Sequence, residues 1–132
     1  MILDTHAWVF YATGRPIEKR ALRRMERARS EARLHVAAVT LWEIALLVHE
    51  RKLRLSLPAA EWFRDALKRT EVRVAPLDAA TAIAGARLLD ALRDPADCQI
   101  VGSALHMGVP LATRDVRIID HAKALGLDVV EI

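Results

Sequence analysis

The sequence predicts an α/β fold in which a mostly parallel sheet is covered by helices on both faces. Three observations carry this. Short apolar runs of strand length alternate with longer stretches whose apolar residues recur at helical spacing. Stop signals halt several of those runs, among them Asp4 and Pro76, which disfavours an all-helical arrangement. Finally, 132 residues that are 53% apolar suffice to bury a real core, so the chain is expected to be one domain over residues 1–132 and not a disordered segment.

Met1-Ile2-Leu3 reads as a short buried strand that ends in a carboxylate, Asp4. Apolar residues resume in Ala7-Trp8-Val9-Phe10-Tyr11-Ala12 as a helix, until Gly14 and Pro16 break the pattern. Ile17, Ala21, Leu22, Met25 and Ala28 form the apolar stripe of a surface helix, with Arg20, Arg23, Arg24 and Arg27 off that face. Residues 34–38 are the second strand. From Thr40 to about Glu50 a helix with almost no polar face is expected to be buried nearly all round, and Glu43 is its one charged residue before His49. After a basic connector over 51–57, Pro58 opens a helix carrying Trp62, Phe63 and Leu67. Residues 72–75 are the third strand. Asp78 caps a helix whose inward positions are expected to include Ala82, Ile83, Ala86 and Leu89. Arg93-Asp94-Pro95-Ala96-Asp97 opens the next helix, striped with Ile100, Val101, Ala104 and Leu105 and ended by Gly108. Residues 109–112 make the fourth strand, Val116 to Leu125 the last helix, and 127–130 a closing strand.

Several function classes are set aside by composition. One cysteine excludes a disulfide framework and favours a reducing compartment, the cytoplasm. No uncharged run is long enough to span a bilayer, so no membrane partner is expected, and no basic segment ahead of an apolar stretch suggests a signal peptide. Five scattered glycines provide no phosphate-cradling loop of the dinucleotide-binding or P-loop kind. The net charge of +3 conceals an asymmetry: residues 1–73 hold 15 Lys/Arg against 9 Asp/Glu, and residues 74–132 hold 5 against 8. The basic excess is densest over 15–33, a face that suits either a polyanion or plain solvation.

Four acids stand out, each with an ordinary structural explanation. Asp4 and Asp115 serve as helix caps, Glu43 closes a capping box with Thr40, and Asp97 is a first-turn acid behind the Asp94 cap. Their joint placement argues for more. All four lie at, or in the first turn after, a strand-to-helix turn, and in a doubly wound sheet those turns share the edge where ligands bind. Asp97 also heads the stripe that faces the sheet. Carboxylates converging in a half-buried cleft resist ionisation, and a hard divalent cation relieves them. Oxygen-only ligation suits Mg²⁺ or Mn²⁺ rather than Zn²⁺, which points to metal-dependent phosphodiester hydrolysis.

Leu3-Asp4-Thr5-His6, Trp42-Glu43-Ile44-Ala45-Leu46, Asp94-Pro95-Ala96-Asp97 and Ala112-Thr113-Arg114-Asp115 resemble, in order and spacing, the motifs of PIN-domain ribonucleases. The branch most resembled is the VapC-type toxins of toxin–antitoxin pairs, and the likeness covers essentially the whole chain. The resemblance implies a three-layer α/β/α sandwich around a central parallel sheet of about five strands. It further implies Mg²⁺-dependent endonucleolytic cleavage of RNA, a homodimer, and inhibition by a small cognate antitoxin. By motif position it makes Asp4 and Asp97 the primary metal ligands, with Glu43 and Asp115 completing the pocket. Thr113 is expected to hydrogen-bond within the cluster, Asp94 to support it, and Arg114 and Arg117 to be available to RNA phosphates. Cys98 stands where relatives often carry Arg, and a non-catalytic binding protein of the same fold is the alternative reading. A phosphoacceptor receiver domain lacks its required Lys after a late strand.

Overall fold

The computed structural model describes residues 1–132. Strands β1 (Ile2–Leu3), β2 (His35–Ala37), β3 (Arg73–Ala75), β4 (Leu111–Thr113) and β5 (Val129–Glu131) form one sheet in the order β3-β2-β1-β4-β5. Every pairing is parallel. Between them run α1 (Thr5–Thr13), α2 (Lys19–Ser30), α3 (Ala38–His49), α4 (Ala59–Thr70), α5 (Ala79–Ala86), α6 (Leu89–Leu92), α7 (Pro95–Met107) and α8 (Val116–Leu125). Five strands fall where the apolar runs place them, and the architecture is the expected α/β/α sandwich.

Neighbouring strand residues point to opposite faces, and each face has its own core. Leu3, Val36 and Ala112 join the cluster that holds Trp8, Met25, Ile44 and Trp62, from α1 to α4. Ile2, Ala37 and Leu111 join the cluster that holds Leu92, Ile100, Val101 and Ile118, from α6 to α8. Trp8 and Trp62 meet edge to face with ring centroids 5.2 Å apart, which anchors α4 on α1.

Two expectations about helices are corrected. Helix α3 is not buried all round: only Thr40 and Ile44 are buried, and Trp42 is 62% exposed. Its apolar circumference exceeds what one sheet face can cover. The inward face of α5 is also out of phase with the prediction. Thr81 and Gly85 are buried, whereas Ile83 (56% exposed), Ala86 and Leu89 face out, and Leu89 belongs to the separate α6. The reason is close helix packing. A Cβ on Gly102 of α7 would stand 2.5 Å from the Gly85 amide nitrogen, so the two glycines let α5 and α7 approach through their smallest faces. That contact outweighs the burial of Ile83. No helix is long and apolar enough to cross a membrane.

The chain order places one functionally loaded crevice. From β1 the strands progress outward through β2 to β3, and the chain then crosses to β4 and β5 on the other side of β1. The connections therefore reverse between β1 and β4, the topological switch point at whose carboxyl edge open α/β sheets bind ligands.

Candidate active site

Asp4 follows β1 at that switch point, and its amide donates to the Ala112 carbonyl of β4 at 3.0 Å. Its side chain is buried and doubly held. Oδ1 accepts the Ala7 amide at 2.5 Å as the N-cap of α1, and Oδ2 accepts the Thr113 hydroxyl from the end of β4. The cap and site readings of Asp4 are thus compatible, because different oxygens serve them. Burial pushes its pKa up, against the hydrogen bonds from Thr113 and Ala7, and the Asp115 charge adds to the rise.

Thr113 also accepts the Asp115 amide at 2.9 Å, so one hydroxyl joins the first and fourth acids. Asp115 caps α8 through Oδ1, which accepts the amides of Arg117 and Ile118. Glu43 forms no capping box: α3 starts at Ala38 with no side-chain cap, and the Thr40 hydroxyl is buried without a partner. Its Oε2 instead accepts the hydroxyl of Thr5, the first residue of α1. Burial raises the Glu43 pKa, and Asp94 and Asp4 raise it further.

Asp97 is strongly perturbed. It lies in the first turn of α7, behind an Asp94 cap whose Oδ1 accepts the Ala96 and Asp97 amides at 2.8 and 3.1 Å. Burial, then the charges of Asp94, Asp115 and Glu43, push its pKa up to about 7. These mutual influences bring Asp4, Glu43, Asp94, Asp97 and Asp115 to one cleft, and no ion pair involves any of the five.

The donor set fits a hard cation: oxygen-only, partly buried, and held back from ionising by its own charge. The arrangement is open, however, and no three Asp, Glu, His or Cys side chains are disposed to hold one ion together. Hydroxyls engage oxygens of Asp4 and Glu43, so closing round an ion requires side-chain rotation.

The two predicted RNA contacts separate. Arg114 is exposed and its guanidinium lies 5.4 Å from the Phe10 ring centroid. Arg117 turns toward the end of α6, with Nη1 3.5 Å from the Leu92 carbonyl oxygen. Cys98 is buried, and burial raises its thiol pKa, as do Asp97 and Asp94, so it is an inert packing residue. Sequence reasoning missed Thr5. Its signal was its place as the first helical residue after Asp4, which aims a hydroxyl along the same edge.

Residues 1–124 match the PIN domain family. The chain is 30% identical over 123 residues to the protein named Ribonuclease VapC22 of Mycobacterium tuberculosis, covering 92% of this chain and 91% of that relative. Among solved structures it is similar to VapBC2 of Rickettsia felis bound to a DNA fragment from their promoter. There the TM-score is 0.71 at 15% identity, covering 98% of this chain and 96% of that one. It is similar also to DNA-bound VapBC of Salmonella typhimurium, with TM-score 0.69, 20% identity and the same coverage of both chains. At these identities the structural likenesses speak for the fold.

Proposed function

Because the chain belongs to the PIN domain family, we propose that it is a VapC-type toxin, a Mg²⁺-dependent endoribonuclease that hydrolyses RNA phosphodiester bonds at its carboxylate cleft. The observation that carries the reading is Asp97, whose pKa is pushed up to about 7 by burial and by Asp94, Asp115 and Glu43, more than the nearby Arg117 charge offsets. Asp4 and Asp97 would hold the Mg²⁺ (Mn²⁺ serves the same donors), with Glu43 and Asp115 completing the pocket. Such an ion supplies charge neutralisation on the scissile phosphate and a hydroxide nucleophile at neutral pH.

The chain's own contribution is preorganisation. Thr113 and the Ala7 amide fix both oxygens of Asp4, and Thr5 holds Glu43 toward the cleft. Asp94, braced by the amino end of α7, keeps a negative charge behind Asp97. The hydrogen bonds position the carboxylates, and the Asp94 charge raises the cost of leaving Asp97 without a cation. Arg114 is free of ion pairs and is offered to the RNA backbone, whereas Arg117 is the weaker candidate because its guanidinium lies near the Leu92 carbonyl.

The partners follow from the same reading. A small cognate antitoxin covers the cleft, and a second copy covers the apolar side chains that α5, α6 and α8 leave exposed: Ile83, Leu89 and Val116. The protein acts in the cytoplasm, where RNA is reached and a single thiol stays reduced. The test is incubation of purified protein with total RNA, with and without Mg²⁺ or Mn²⁺, beside expression with and without any small open reading frame found to adjoin the gene. Metal-dependent cleavage and growth arrest relieved by that partner are expected. RNA left intact under both ions would replace the nuclease by a non-catalytic PIN-fold binding protein.

A further inference from the structure

Beside the carboxylate cleft lies a cavity of about 410 Å³ that the acids do not use. The two are joined through Thr5, which lines the cavity and hydrogen-bonds Glu43. Its wall is apolar where Phe10, Leu47 and Leu53 meet, and it is cationic at Arg15 and Arg54. Lys52, which also lines the cavity, pairs with Glu50, whereas Arg15, Arg54 and Arg114 take part in none of the seven ion pairs.

Phe10 organises two of these cations. The guanidinium of Arg15 stands 5.3 Å from the centre of its ring and that of Arg114 stands 5.4 Å from it. One aromatic ring thus holds two like charges with no carboxylate partner, an arrangement that an anion stabilises. Because the ring already orders both side chains, little of their freedom remains to be lost when a ligand arrives. Arg114 adjoins Asp115 in the chain, so the stack continues directly from the cleft. An apolar pocket beside a cationic stack is the chemistry of a nucleotide, with the base in the pocket and the phosphate on the guanidiniums. Bases paired in an A-form helix cannot enter such a concavity, whereas a splayed single-stranded base can.

We propose that Arg15, Phe10 and Arg114, with the adjoining cavity, form a substrate subsite that binds the phosphate next to the scissile one and the unpaired base it carries. For its ligand the subsite rests on the reading of the cleft as an RNA site.

The test is fluorescence anisotropy with a short, labelled, unstructured oligoribonucleotide. It uses the Asp4→Asn protein without divalent ions, so that the probe is not consumed. Adding Arg15→Glu or Arg114→Glu is expected to weaken binding about tenfold and to lower the salt slope by about one. Phe10→Leu, which keeps the apolar fill, is expected to weaken binding about fivefold, at the low end of what one stacked ring contributes. Arg23→Glu, on α2, makes the same change of net charge and leaves the affinity unaltered. Equal affinity in Arg15→Glu and its parent overturns the subsite. So does duplex RNA that competes as well as the single strand, or polyglutamate that competes as well as RNA. Loss of binding in Arg15→Glu alongside a wild type that cleaves no RNA would reject the nuclease and keep the subsite.

Discussion

At the amino ends of the strands, a cavity of about 480 Å³ is lined by Arg24, Arg27 and Arg33, and each has an acidic partner. Arg24 pairs with Asp128 at 3.1 Å, Arg27 pairs with Glu31 at 3.0 Å, and Arg33 pairs with the same Glu31. At the carboxyl ends, five acids share a cleft, none is in an ion pair, and the Asp97 pKa stands at about 7. The larger cavity belongs to the end whose arginines are paired. The difference teaches that an unmet charge, rather than a hollow, marks where this fold is prepared to bind, because satisfying surface charge locally is easy and was not done here.

The sharpest way to break the comparison is to neutralise the unmet end. Asp97→Asn is expected to lower RNA cleavage by about a hundredfold or more, of the order that one misplaced electrostatic group costs a preorganised site. The same change removes a repelled charge, so thermal unfolding of the metal-free protein at pH 8 should move to higher temperature. A fall instead would mean that Asp97 is not repelled by its neighbours.

The next largest effect tests the scaffold that aims Asp97. Gly102→Ala places a methyl against the Gly85 backbone and pushes α5 from α7, with an expected cost of about 1–3 kcal/mol by urea denaturation. Because α7 also carries Asp97, cleavage should fall with it.

Changing pH separates the two ends without mutation. Asp97, Asp4 and Glu43 all have folded pKa values raised above their ordinary ones, so the native state binds protons more tightly than the unfolded chain. The contribution of these acids is then most favourable below about pH 4, where both states are protonated. It is lost as pH rises through the folded value, which for Asp97 is about 7. Thermal melts of the metal-free protein should show this decline, and Mg²⁺ should stabilise more at pH 8 than at pH 5. The smallest effect is expected at the paired end. Arg24→Ala removes an exposed pair worth under about 1 kcal/mol and should leave cleavage unchanged.

Much of this site was legible in the sequence because caps and ligands occupy the same turns. Asp4, Asp94 and Asp115 announce themselves as acids where an apolar run gives way to a helix, and the structure uses each as an N-cap. Glu43 was legible as the first charge in an apolar helix, but its partner was not. The Thr40 pairing suggested by spacing gives way to Thr5, 38 residues away, a contact that only the β1–β2 pairing creates. The phase of α5 was illegible for a related reason. Hydrophobicity records which side chains favour burial, whereas the Gly85–Gly102 approach rewards the absence of a side chain. Trp42 shows the same limit: an apolar residue states a preference for cover without saying what supplies it.

The claim that the carboxyl end is a cation site in waiting is tested most directly by titrating Mn²⁺ into the metal-free protein at pH 8 by calorimetry, beside Asp97→Asn and Arg24→Ala. Saturable binding by the wild type and Arg24→Ala, with proton release that grows as pH is lowered toward 7, and its loss in Asp97→Asn, is the predicted result. Binding that is absent from the wild type, or unchanged in Asp97→Asn, would contradict it.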